Sequence, residues 1–185
     1  MRIFKDIDFT FIDKKFKKSH HLKAFCANYR PHAIYELLNE GHKKILYVDV
    51  DSLIRKNLDK AYDLNDHFDI KIHLRNEDDP RFKVAAGVIL VNNTPASLKF
   101  FRSWSENILK LETVWFADQI TFYECYNQDK NKVRLKHLDE HFIDWNFKKA
   151  SAIWTGKGKR KKTNLRYRFE ILKIHYNFYL KKCDG

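Results

Sequence analysis

Lys43-Lys44-Ile45-Leu46-Tyr47-Val48-Asp49-Val50-Asp51-Ser52 carries an apolar strand straight into two carboxylates one residue apart. Side chains alternate along an extended chain, so this pattern predicts Asp49 and Asp51 on one side and Val48 and Val50 on the other. A single Asp at a strand end is ordinary turn or capping chemistry. A pair beside Ile45, Leu46, Tyr47 and Val48 is different, because burying two like charges without a cation is costly. The pair reads as an oxygen donor set for a hard divalent cation that holds a phosphate in turn.

Upstream of that strand, residues 7–12 alternate apolar with polar residues and predict a strand, and a basic segment follows over 14–23. Pro31 suits the first turn of a helix whose Ile34, Leu37 and Leu38 recur at helical spacing, with Gly41 as its stop. Downstream, 68–74 predicts another strand, 76–80 an acidic loop and 84–91 a continuous buried strand. Thr94 and Pro95 open a helix that buries Leu98, Phe101, Trp104, Ser105 and Ile108. A second helix begins near Trp115 and carries Asp118, Gln119, Phe122 and Tyr126, and 133–135 forms a short strand. Residues 151–154 lead into the turn Gly156-Lys157-Gly158-Lys159, and Leu165, Phe169, Leu172, Tyr176 and Tyr179 mark the apolar face of a basic amphipathic helix over 164–182.

Strands interleaved with helices predict one α/β domain over 1–185, a mostly parallel central sheet flanked by helices. Sites in such sheets gather at the carboxyl ends of strands, where Asp49 and Asp51 fall. A length of 185 residues and 44% hydrophobic content fit one continuous core. The apolar runs are short and broken by charges, and the N-terminus lacks a signal-peptide core. Cys26, Cys125 and Cys183 are odd in number and widely spaced, which suits reduced thiols in a cytoplasmic protein. A formal net charge of +12 calls for an anionic partner.

Four of these elements, in this order, resemble the GT-A nucleotide-sugar glycosyltransferases, near the group of glycogenin and the bacterial lipooligosaccharide galactosyltransferases. The stretch from Ile45 through Asp49-Val50-Asp51 to Arg55 matches that group's DxD segment. Ala86-Gly87-Val88-Ile89-Leu90-Val91-Asn92 resembles its buried "AGV" strand, Asp118-Gln119 its helical Asp-Gln pair, and Gly156 to Lys159 its C-terminal "HxxGxxK" segment. The resemblance spans about residues 29–159 and implies transfer of a sugar from a nucleoside diphosphate sugar, a uridine one in first place, to a hydroxyl of a glycan, lipid or protein. It implies Mn2+ or Mg2+ at Asp49 and Asp51, with the ion stabilising the departing diphosphate as a Lewis acid. Arg30, Asp49, Ala86, Gly87, Gly156, Lys157 and Lys159 are then expected to bind the donor, and Asp118 and Gln119 to face the reacting sugar.

Three departures accompany the resemblance. Ile153 stands where the family's metal-binding histidine is expected, and Ala85 where an asparagine precedes "AG". Few residues precede Arg30, so the 7–12 strand would be the second of the family's opening strands and the first nucleotide-binding βα unit would be missing. Asp78 and Asp79 read as a solvated acidic loop. Two other readings compete. A haloacid-dehalogenase-type phosphatase also places Asp-x-Asp after a buried strand, but near its N-terminus, whereas forty-eight residues precede Asp49 here. In a basic nucleic-acid-binding domain the positive charge would be the whole point, and binding would be steeply salt-dependent and independent of Asp49. The basic patch over 157–168, interleaved with aromatics, suits anionic lipid headgroups or nucleic acid, and donor diphosphate binding with peripheral membrane contact is the preferred reading.

Overall fold

The computed structural model describes residues 19–59, 67–111, 113–129, 132–156 and 160–183. The strand expected at 7–12, and with it the question of a missing first βα unit, lies outside these residues, as do Lys157 and Lys159. Two helices open the described chain, α1 (Ser19–Asn28) and α2 (Arg30–Asn39). Pro31 sits in the first turn of α2, and Gly41 ends it in the left-handed region at φ +87°. There the Gly41 and His42 amides donate to the carbonyls of Leu38 at 3.0 Å and Leu37 at 3.2 Å. The basic segment carries no periodic apolar signal that would announce α1.

The carboxylate-bearing stretch is not one strand. β1 (Lys44–Val48) stops before Asp49, and β2 (Ser52–Ile54) starts after a tight turn in which the Ser52 amide donates to the Asp49 carbonyl at 2.9 Å. Val50, at the tip of that turn, is fully exposed. The two carboxylates therefore flank a turn and do not alternate along an extended chain.

β3 (Ile70–Leu74), the one-turn α3 (Pro80–Lys83), β4 (Val84–Asn92), α4 (Pro95–Ile108), α5 (Ala117–Asp129) and β5 (Leu135–His137) complete the central layer. The sheet order is β1-β4-β3-β5. The expectation of a mostly parallel sheet is corrected here: β4 pairs antiparallel with both β1 and β3, and only β3 with β5 is parallel. For β3 and β4 the reason is connection length. A parallel crossover needs a dozen or more residues, and only the short α3 separates β3 from β4. A second, two-stranded sheet joins β2 to β6 (Ile153–Thr155), and α6 (Arg160–Thr163) and α7 (Leu165–Cys183) follow.

The central sheet is covered on both faces. Ile45, Ile72 and Ile89 pack with Ile34 and Leu38 of α2, Phe100, Phe101 and Trp104 of α4, and Phe122 of α5. On the other face Val88 and Leu90 meet Phe68, Ile143 and Ile153. A third cluster of Phe147, Trp154 and Tyr167 seats α7 on the small sheet. This reverses the expected face of that helix: Tyr167 and Ile171 turn inward, while Leu165, Phe169, Leu172 and Tyr176 are exposed. Hydrophobic periodicity finds a stripe, and this helix carries apolar residues on two sides.

At the opposite end of the sheet, buried Asp69 joins β3, β5 and α4. It accepts from the Arg134 amide at 2.8 Å, from Arg134 Nη2 at 2.9 Å and from Thr94 Oγ1 at 2.8 Å. Thr94 also caps α4, in a reciprocal box with Ser97. Burial pushes the Asp69 carboxyl up, but the hydrogen bonds from Arg134 and Thr94 outweigh it and hold the group below its ordinary value of 3.8. A depressed folded value means that this contribution is complete above pH 3.8 and is lost as pH falls through the folded value. Asp69→Asn should lower Tm at pH 7 by roughly 5 °C and flatten the acid limb of the stability profile. Thermal unfolding of both proteins between pH 2 and pH 7 checks this, and an acid limb unchanged in the variant contradicts it.

Candidate active site

The site forms where β1, α2 and α5 meet. Alternation along β1 places Tyr47 and Asp49 on the helix-covered side, and the Tyr47 hydroxyl donates to Asp49 Oδ1 at 2.9 Å. The Asp49 amide donates to the Gly87 carbonyl at 2.8 Å, which fixes the carboxylate at the last rung between β1 and β4. Arg30 opens α2 with only 7% of its side chain exposed, and its Nη2 lies 3.4 Å from Asp49 Oδ1. Its Nη1 lies 3.2 Å from Oδ2 of the buried Asp118 in the first turn of α5. One guanidinium thus joins two carboxylates that are sixty-nine positions apart in the chain.

Each member is held by a further ring of contacts. Arg30 Nε donates to the Ala27 carbonyl at 2.9 Å, and the guanidinium lies 5.4 Å from the Tyr47 ring centre. Buried Asn28 accepts from the Asp118 amide at 3.2 Å and donates to the carbonyls of Leu111 and Val114 at 3.1 Å and 2.9 Å. The Trp104 indole donates to the Asp118 carbonyl at 3.0 Å. Phe116 precedes α5 at φ +67°, a left-handed conformation that costs a bulky residue local strain, and Phe82 packs edge-on against its ring.

Burial pushes the Asp118 carboxyl above its ordinary value, with Arg30 pulling against it. Asp49 is also raised, by burial first and by the neighbouring Asp51 and Asp118 charges, against the pull of Arg30 and Tyr47. Burial alone would weaken the Arg30 cation, but Asp118 and then Asp49 outweigh it and its pKa rises. The result is a fixed positive charge between two carboxylates in a water-poor corner.

Other expected residues fall around this triad in different ways. The Asp51 carbonyl accepts from the Gly156 amide at 3.3 Å and from the Tyr167 hydroxyl at 2.7 Å, so β6 and α7 both hold the carboxylate turn. Gly87 lies in an irregularity of β4, where the register with β3 jumps from Ile72↔Ile89 to His73↔Ala85. A Cβ there would stand 3.0 Å from Asp49 Oδ2, which is why a glycine is found beside that carboxylate. Ala86 is buried in the helix-facing core. With its amide turned, Gln119 Nε2 donates to the carbonyls of Val84 and Arg81 at 2.6 Å and 2.8 Å, holding the start of β4. Asp79 caps α3 and pairs with Arg81 on the exposed side. Ile153 is fully buried and pairs with Ile54, whereas Thr155 pairs with Ser52 next to Asp51.

Among the described residues no group of three His, Cys, Asp or Glu side chains converges on a common point. Asp49 Oδ1 is engaged by Tyr47 and Arg30, and the hard oxygen donors that the turn offers a cation are Asp49 Oδ2 and the Asp51 carboxylate. Two carboxylates suit an ion that completes its shell with phosphate oxygens and water, as a Mg2+-like ion does. Tyr47 was legible as a partner of Asp49 from strand alternation. Asn28, Tyr167 and Thr155 carry no local signal, because each reaches the site from a distant segment.

The profile of the nucleotide-diphospho-sugar transferases matches residues 2–182. The chain belongs to that family. Its fold is also that of solved glycosyltransferases. A glycosyltransferase involved in glycosylation of the major capsid of PBCV-1 superposes with a TM-score of 0.57 at 15% identity, over 85% of this chain and 79% of that one. The apo-form glycosyltransferase GlyE of Streptococcus pneumoniae TIGR4 gives a TM-score of 0.54 at 17% identity over 83% of this chain, which spans only 46% of GlyE. No curated protein sequence matches the chain.

In this transferase, removing Arg30 alone leaves Asp118 buried without its counter-charge. Arg30→Leu should cost roughly 3–5 kcal/mol of stability, and Arg30→Leu with Asp118→Leu should regain most of that loss. Urea unfolding of the single and double variants measures the coupling, and strictly additive losses would contradict the buried pair.

Proposed function

We propose that the chain moves a hexose-type sugar from a nucleoside diphosphate sugar, a uridine one first, to a hydroxyl of a glycan, lipid or protein. One observation carries this reading: within a nucleotide-diphospho-sugar transferase, Arg30 holds Asp49 and Asp118 together at the carboxyl end of β1. The Asp49–Asp51 turn supplies hard oxygen ligands for Mn2+ or Mg2+, which when bound would neutralise charge growing on the departing diphosphate. Gly87 keeps the neighbourhood of Asp49 open, and the Gly156 backbone closes on the turn from β6. In this reading Asp118 is the carboxylate that meets the reacting sugar, by a hydroxyl contact or by stabilising positive charge at the anomeric carbon. Arg30 and the Asn28 and Trp104 contacts orient it. A phosphatase nucleophile is less well supported, because the nucleotide-diphospho-sugar transferase family matches residues 2–182.

Calorimetry with UDP tests the reading. Binding should require MnCl2 and fall at least about tenfold in Asp51→Ala. A chain that binds no UDP in the presence of Mn2+ overturns it.

The exposed stripe on α7 adds a place of work. Leu165, Phe169, Leu172 and Tyr176 are 65–78% exposed and recur at helical spacing on the side away from buried Tyr167. At about 100° per residue, Arg168 borders this stripe on one side and Arg166 and Lys173 on the other. An apolar stripe with cations on both borders fits an anionic bilayer surface, and the same charges would repel a second copy of the stripe. Among the described residues no helix is long and apolar enough to cross a membrane. The protein should therefore co-sediment with phosphatidylserine-containing vesicles and not with phosphatidylcholine ones. Phe169→Glu with Leu172→Glu should abolish this, and equal retention of that variant rules the surface out.

A further inference from the structure

We propose that the hydroxyls of Ser52 and Thr155 form a phosphate-oxygen subsite beside the Asp49–Asp51 turn, so that Thr155 is the donor-binding side chain which β6 contributes in this chain. The inference rests on the nucleotide-sugar reading and assigns it two residues that the sequence did not single out. Ser52 and Thr155 face each other across the first rung of the β2–β6 ladder. Thr155 is only 5% exposed, and among the described residues neither its Oγ1 nor Ser52 Oγ has a hydrogen-bond partner. Most buried hydroxyls are paired, so two unpaired ones facing across one rung call for a ligand or a trapped water.

Their position favours a ligand. Ser52 follows Asp51 directly, and its amide closes the turn onto the Asp49 carbonyl at 2.9 Å. The Thr155 methyl stands 3.9 Å from where a Gly87 Cβ would be, the point that lies 3.0 Å from Asp49 Oδ2. The residue after β6, Gly156, donates its amide to the Asp51 carbonyl. The pair thus borders the same turn that carries the two carboxylates.

The charges there select the ligand's chemistry. Asp49 and Asp51 would repel a bare phosphate and accept one that arrives with a divalent cation, the cation on the carboxylates and a phosphate oxygen towards the hydroxyl donors. Ile153, two residues earlier, is buried in the core and opposite Ile54, so it cannot take this place.

Thr155→Val keeps the shape and removes the hydroxyl, with Ser52→Ala as a second variant that deletes the other hydroxyl from a half-buried residue. Without ligand, both should melt at or above the wild-type Tm, because an unpaired buried group has been removed. Calorimetry with UDP and MnCl2 should show affinity reduced about fivefold to tenfold in each, and restored in Thr155→Ser. A lower Tm in both variants without ligand marks the hydroxyls as structural, held by an internal water, and overturns the inference whatever the affinity. Unchanged UDP affinity in variants of a wild type that binds UDP overturns the subsite alone. A wild type that binds no UDP with Mn2+ instead removes the nucleotide-sugar reading, and the subsite with it.

Discussion

The buried guanidinium of Arg30 is the constraint around which this protein is arranged. Desolvating a cation costs on the order of several kcal/mol, and only carboxylates in fixed positions offset it. Asp118 lies 3.2 Å away on α5 and Asp49 3.4 Å away at the end of β1, so one charge ties together α2, the sheet and α5. Asn28 extends the tie to α1 and to the loop before α5, and Trp104 extends it to α4. The same group that makes the corner stable makes it electrostatically specific. A cation flanked by carboxylates whose own pKa values are raised by burial is organised before any substrate arrives.

The second organising feature is the turn that separates β1 from β2. It takes Asp49 and Asp51 out of the sheet at the point where the β4 ladder ends, and it directs the chain into the small β2–β6 sheet. The turn is then gripped from behind, through Gly156 and the Tyr167 hydroxyl on the Asp51 carbonyl. Because Tyr167 belongs to α7, the helix that presents the cation-bordered apolar stripe is joined directly to the carboxylate turn. The proposed surface contact and the proposed donor site thereby share one mechanical frame.

Much of the fold was legible in local pattern. The Thr94-Pro95 start, the Gly41 stop and the buried run of β4 all follow from chemistry within a few residues of each position. The direction of the strands was not, since interleaved strands and helices suggest parallel pairing and only the short link through α3 forces β3 and β4 antiparallel. The buried face of α7 is not legible locally for a related reason. A helix with apolar residues on two sides carries two stripes, and which of them is covered depends on Phe147, Trp154 and the small sheet.

By itself the sequence determined the kinds of group available: two carboxylates closing an apolar run, an arginine before a helix, an acidic residue opening another, and the family to which that order belongs. These are properties of residue type and short-range spacing, and they survive without coordinates. Only the tertiary structure decided that Arg30 lies between Asp49 and Asp118, that Gln119 is spent on backbone carbonyls, and that Thr155 rather than Ile153 stands opposite the turn. Those outcomes depend on which segments are desolvated together and on which rung of a ladder each residue occupies. Neither burial between distant segments nor strand register is written in the spacing of any one stretch, the carboxylate-bearing one included.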